Sequence, residues 1–227
     1  MLKKPIDCLW LWDDTSERNP CFSMGVDEAL TDLAPYPVLR IYRWLLPCIS
    51  VGYFTPLKSV GSARKPLPII RRWTGGGIVT HGDDLPFSLI IPRRHDFGNL
   101  PPSDSYHAIH SALRDAILRQ NPLLTDQLTF CRGRSGIGSL SCFDNPVMHD
   151  LLFEGKKIAG GGQKRTRKGF LHQGSLNMMT RHHPAPMILA SAMSDSVKIF
   201  NPTAELLHQA EVLGQQRYSS PEWTSKF

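Results

Sequence analysis

Residues 38–54, VLRIYRWLLPCISVGYF, hold two β-prone runs, 38–44 and 48–54, rich in branched and aromatic side chains and separated by a turn at Pro47. Working outward, LPIIRR (67–72) and LPFSLIIP (85–92) are two more such runs, and DCLWLW (7–12), bounded by Asp13 and Asp14, is another. Short β-like segments lie at 139–143, 149–153, 157–160 and 170–178. Helical spacing appears in four places. Asn19 is a candidate N-cap with Pro20 in the first helical position, and Phe22, Val26, Ala29, Leu30 and Leu33 form a stripe that Pro35 and Pro37 would end. Residues 106–120 place Ile109, Leu113, Ala116 and Ile117 on one face behind a Ser103/Ser105 cap, and 186–194 and 202–217 also read helical. Strands come mostly in neighbouring runs with few strand–helix–strand alternations. That predicts an α+β fold, a mixed and largely antiparallel sheet flanked by helices.

The 227 residues suit a single domain over 1–227 whose core needs no disulfides. The five cysteines (8, 21, 48, 131, 142) contain no CxxC pair, which argues for reduced thiols in a cytoplasm and against a zinc site. No apolar run approaches the roughly 18 residues of a membrane span, so no membrane is expected. The net charge of +6 is local: residues 156–168 hold Lys156, Lys157, Lys164, Arg165, Arg167, Lys168 and no acid, while the remaining chain balances 20 basic against 20 acidic residues.

Two glycine-rich stretches carry the chemistry, RRWTGGGIVTHG (71–82) and EGKKIAGGGQKRTRKG (154–169). Read as loops, they bring bare N–H groups close to a ligand and flank it with cations, which suits an anionic or carbonyl-bearing molecule. Neither matches the phosphate-binding or dinucleotide motifs. A rival of another class is a non-catalytic module that binds an acidic protein or nucleic acid through GGGQKRTRKG. Phe170 is the only aromatic beside that run, and nucleic-acid binding is not expected. His107 and His110 share a helix face without a third ligand, so no metal is expected there.

Three blocks, PVLRIYRWLLPCISVGYF, IIRRWTGGGIVTHGDDLPFSLIIP and CFDNPVMHDLLFEGKKIAGGGQKRTRKGFLHQGSL, resemble in order those of the lipoate-protein ligase and lipoyl (octanoyl) transferase family, over about residues 20–180. The resemblance implies a biotin/lipoate-protein-ligase-like catalytic domain that attaches octanoate or lipoate to a lysine of a lipoyl carrier domain. The carrier would be of the glycine cleavage H protein or 2-oxoacid dehydrogenase E2 type. It further implies that the first glycine loop lines the acyl tunnel and that Lys157 contacts the acyl carbonyl or an activated phosphate. No C-terminal accessory domain is expected, and the protein is expected to act as a monomer.

Two chemistries remain open. A transferase takes the acyl group from octanoyl-acyl-carrier protein onto an enzyme cysteine and needs no cofactor; a ligase uses free lipoate with ATP and Mg and passes through lipoyl-AMP. The transferases that the third block resembles have a cysteine opening a CF(D/E) block fifteen residues before the KIAG lysine. Cys142 and Lys157 stand at that spacing. A free thiol is mostly protonated at neutral pH, so a nearby cation such as Lys157 would make Cys142 a useful nucleophile. The third glycine of the first loop, Gly77, matches many ligases instead.

The candidate site is therefore Cys142 and Lys157 as catalytic residues; Arg72, Gly75, Gly76, Gly77, His81, Gly160 and Gly161 against substrate; and Lys164, Arg165 and Arg167 against the carrier. Only one of Arg71 and Arg72 should face the site, and Arg72 is chosen. His81 would shape the pocket, and N–H groups near Gly160 to Gly162 would hold the oxyanion.

Overall fold

The computed structural model describes residues 4–60, 67–133, 141–178 and 182–227. Side chains on a strand alternate between faces, and here both faces are covered. Val38 and Ile90 belong to one apolar cluster with Val26, Leu30, Leu206 and Ala210, whereas Leu39, Leu89 and Ile91 join Ile109, Leu113, Ile117 and Leu189 in the other.

In chain order the elements are β1 (Ile6–Arg18), α1 (Pro20–Leu33), β2 (Val38–Trp44), β3 (Cys48–Val51), β4 (Ile69–Arg71), β5 (Ile78–His81), β6 (Leu85–Pro92), α2 (Pro102–Gln120), β7 (Leu128–Phe130), β8 (Leu151–Phe153), β9 (Lys156–Arg165), β10 (Gly169–Leu176), α3 (Pro186–Met193), β11 (Ser194–Ile199), α4 (Ala204–Leu213) and α5 (Pro221–Thr224). Among the described residues eight strands form the main sheet in the order β11-β1-β2-β6-β10-β9-β8-β7, and β4-β3-β5 form a second sheet. The main sheet is antiparallel from β2 through β6, β10, β9 and β8 to β7. β1 runs parallel to both β11 and β2. The expected α+β class with a mixed, largely antiparallel sheet is the one observed.

Strand β1 continues through Asp13 and Asp14 because Asp14 is an inward partner: its Oδ2 lies 2.8 Å from Nη2 of the fully buried Arg40 on β2. Arg40 also meets Asp27 of α1 at 2.9 Å, and Ser88 Oγ and Gln173 Nε2 donate to Asp27 Oδ2 at 2.6 and 2.8 Å. Each charge of this buried set has an opposite charge against it, and the set tethers α1 to four strands.

The two runs of 38–54 part company, β2 entering the main sheet and β3 the second, and the strand expected to reach 54 ends at Val51. Helix α2 begins at Pro102 rather than 106, and no side chain caps it. Ser105 Oγ, expected at the cap, donates to the Pro102 carbonyl instead. Of 139–143, residues 139 and 140 lie outside the described residues, and 141–143 contribute one bridge between Ser141 and Ile78. The segment 194–199, polar and outside the predicted strands, is β11; its pairing partner β1 recruits it, not its own apolar pattern. The helix expected over 202–217 is α4 followed by a wider helical turn at 214–218.

Candidate active site

The second glycine-rich stretch is a strand, not a loop. Gly160, Gly161 and Gly162 stand in register with Ser175, Gly174 and Gln173 of β10. Glycine is needed at 161 and 162 because backbone occupies the space of a Cβ, the Gln173 carbonyl 2.8 Å from one on Gly161 and the Gly75 carbonyl against one on Gly162, while one on Gly160 would displace the end of Lys157. The Gly161 N–H already donates to Tyr106 Oη at 3.0 Å, so it does not serve as the oxyanion donor expected of it.

In the first stretch residues 72–77 form a loop between β4 and β5, held from both sides. Thr74 Oγ1 donates to Gln173 Oε1 at 2.8 Å, Thr55 Oγ1 to the Gly76 carbonyl at 2.8 Å, and the Gly52 N–H to the Gly77 carbonyl at 3.0 Å. Gly76 has φ +105°, where an L side chain is strained. Arg71 and Arg72 diverge. Arg71, fully buried, is structural: its guanidinium donates to the carbonyls of Gly52, Tyr53 and Thr55 and, from α5, of Trp223 and Thr224. Arg72 points into a pocket, where Nη1 donates to Ser50 Oγ at 2.6 Å and Nη2 to the Gly77 carbonyl at 3.0 Å.

Cys142 lines the same pocket. Its N–H donates to the Ile78 carbonyl at 2.9 Å, and its Sγ accepts the Gly77 N–H at 2.8 Å. Burial lowers the Arg72 guanidinium from its ordinary value, and the neighbouring Cys142 sulfur opposes that shift by charge and hydrogen bond. Arg72 and a backbone amide thus face the sulfur. Sequence spacing suggests Lys157 for that place; in the structure Lys157 Nζ, also in the pocket, pairs instead with the buried Asp150 at 2.7 Å. Asp150 is itself fixed by Tyr106 Oη at 2.5 Å and the Val147 N–H at 2.7 Å.

His81 is buried on the pocket wall, with Nε2 2.6 Å from Ser50 Oγ and Nδ1 2.6 Å from Asp84 Oδ2. Burial alone would raise the Asp84 carboxyl, but hydrogen bonds from His81, Ser175 and the Gly82 N–H outweigh it and hold the group below the usual range. Nothing in the sequence singles out Ser50, Asp84, Tyr106 or Asp150. They are ordinary residue types, and only the fold brings them to Arg72 and Lys157.

The basic window separates by face. Arg165 is half-buried, with Nη2 donating to Ser105 Oγ at 2.7 Å, Nη1 to the Gly98 carbonyl at 3.2 Å and its plane over Phe170. Lys164 lies over Trp73 and Tyr53, Lys168 pairs with Asp32, and Arg167 is exposed in the β9–β10 turn. The expectation of a single charged loop over 156–168 is corrected: Lys156 to Arg165 are strand β9. Of the other cysteines, Cys48 and Cys131 are buried and Cys8 and Cys21 are half-buried; burial raises the Cys21 thiol and pushes Cys48 up to about 12. Among the described residues no group of three or more His, Cys, Asp or Glu could hold a metal ion, and no helix is long and apolar enough to cross a membrane.

Residues 19–205 match the lipoyl protein ligase A/B catalytic domain. The chain is 31% identical over 180 residues to octanoyltransferase LipM of Oceanobacillus iheyensis, covering 74% of this chain and 63% of that protein. It is 25% identical to octanoyltransferase LipM of Bacillus anthracis, covering 96% and 98%. A bipartite lipoate protein ligase of Thermoplasma acidophilum, solved with its E2 lipoyl domain, shares the fold at a TM-score of 0.65 and 20% identity, covering 97% of this chain and 96% of that one. With the model of that family covering most of its length, this chain belongs to the lipoyl protein ligase A/B catalytic domain family.

Proposed function

We propose that this protein transfers an octanoyl group from octanoyl-acyl-carrier protein to a lysine of a lipoyl carrier domain through a thioester on Cys142. The observation that carries the reading is Cys142 Sγ against the Gly77 N–H and Arg72, in one pocket with Lys157. The likeness to octanoyltransferases supports it.

The Cys142 thiolate attacks the donor thioester carbonyl, and the donor thiolate leaves as the acyl–Sγ bond forms. The neutral carrier amine then attacks that carbonyl, the C–Sγ bond breaks, and the amine proton passes to the departing Sγ. Arg72 and the Gly77 N–H stabilise negative charge on sulfur before acylation and after release. Asp150 holds Lys157 as an ammonium at the Gly160 face, a donor for the oxyanion of both tetrahedral intermediates. No step consumes ATP, because a thioester is already activated. In this reading the carrier is of the glycine cleavage H protein or 2-oxoacid dehydrogenase E2 type, and the five free cysteines suit a cytoplasm.

The test supplies a lipoyl carrier domain with octanoyl-acyl-carrier protein and no ATP. Modification of the carrier lysine is expected. Modification only with free lipoate, ATP and Mg would overturn the reading in favour of the ligase.

A further inference from the structure

Ser50, His81 and Asp84 form a hydrogen-bonded line of serine, imidazole and carboxylate with both contacts at 2.6 Å. The same three types in the same order make the nucleophilic triad of many hydrolases. Here the line ends elsewhere. Arg72 Nη1 lies 2.6 Å from Ser50 Oγ and can only donate, so Ser50 Oγ accepts from it. His81 Nε2 meets the same hydroxyl, and Nδ1–H donates to the Asp84 carboxylate, which can only accept. Asp84 is anchored in turn by Ser175 Oγ at 2.6 Å and the Gly82 N–H at 3.0 Å.

Ser50 is fully buried with a lone pair committed to a guanidinium, a poor arrangement for attack and a good one for holding a cation still. The far side of Arg72 meets Cys142 and the Gly77 carbonyl. We propose that Ser50, His81 and Asp84 are positioning residues for acyl transfer, a hydrogen-bonded rod that fixes Arg72 beside Cys142 and so sets how readily the thiol ionises. The inference rests on the Cys142 thioester reading. It moves His81 from shaping the pocket to aiming a charge, and it explains why Arg72 and not Arg71 serves the site: only Arg72 reaches Ser50, on the neighbouring strand β3.

The test is the rate at which iodoacetamide alkylates Cys142 across pH, read by peptide mass mapping so that the other four cysteines do not interfere. Buried Cys131, whose hydrogen bonds run to His149, Asp150 and Gly133 rather than to the rod, reports unfolding if it becomes modified. Ser50→Ala and His81→Phe are expected to slow Cys142 alkylation at neutral pH about tenfold and to move the profile to higher pH by about one unit. His81→Gln, which keeps an acceptor, is expected to stay nearer the parent protein than His81→Phe. Identical profiles in all four proteins would overturn the inference. So would an octanoyl adduct on Ser50 in Cys142→Ser protein, which would make Ser50 a nucleophile. If His81→Phe exposes Cys131, Ser50→Ala decides, since it deletes one oxygen. Failure of the thioester reading is separately visible, as absence of any octanoyl adduct on Cys142 in the unmutated protein whatever the alkylation profiles show.

Discussion

The Gly77 N–H donates to Cys142 Sγ across 2.8 Å, joining a glycine loop to a segment 65 residues further along the chain. The loop can make this contact because Gly76 adopts φ +105°. A Cβ there would be strained and would lie 3.1 Å from Arg72 Nη2 and 3.7 Å from Cys142 Sγ. Gly76→Ala should therefore cost about 1–3 kcal/mol of local strain and slow acylation of Cys142 at least tenfold. Single-turnover acylation beside a thermal melt checks it, and the melting temperature should fall by about 2–12 °C.

Asp150 gives Lys157 its counter-charge in a nearly dry setting. Asp150→Asn should destabilise the fold by about 3–5 kcal/mol, because it strands a buried ammonium. Tyr106→Phe keeps the ion pair and removes one donor to Asp150, so its cost should be about 1–2 kcal/mol. Urea denaturation of the two variants measures the difference.

His110 is fully buried, and burial pushes its imidazole down to about 4. Between pH 4 and 6.5 the unfolded chain binds the proton that the folded chain refuses. This contribution to stability is therefore complete above pH 6.5 and is lost as pH falls toward 4. His172 is lowered by burial in the same direction. Urea midpoints at pH 7, 5.5 and 4.5 should fall in that order, and His110→Phe should flatten the slope.

Carrier steering should fall to Lys164 on β9 and Arg167 in the turn after it. Reversing Lys164 and Arg167 together should slow carrier modification at low salt, and the effect should shrink as salt rises. Acylation of Cys142 should be nearly unchanged. Arg165→Glu should lower the melting temperature instead, since Arg165 binds Ser105 and the Gly98 carbonyl. Initial rates across a salt series, with melts, separate the two outcomes.

Strand β6 and helix α1 are legible in the sequence because their patterns are local: LPFSLIIP is apolar but for Ser88, and Asn19-Pro20 opens and caps the helix. β11 and the run of β1 through Asp14 are not, because a distant partner makes polar residues belong in a sheet. The site divides likewise. The resemblance to the transferases, with the charge of the two glycine-rich stretches, points to Cys142, Lys157 and Arg72, and the three share one pocket. Their division of labour is hidden, because Asp150 takes Lys157 away from the thiol, and Ser50 and Asp84 show their role only when β3 and β5 pair. The glycines of β9 look like a loop because sequence records the missing side chain and not the neighbour filling its place.

Whether Cys142 carries the acyl group is measured most directly by intact and peptide mass spectrometry after incubation with octanoyl-acyl-carrier protein, without ATP. One octanoyl adduct is expected, on the peptide containing Cys142, discharged by a lipoyl carrier domain and absent from Cys142→Ser. Carrier modification that proceeds undiminished in Cys142→Ser would contradict it.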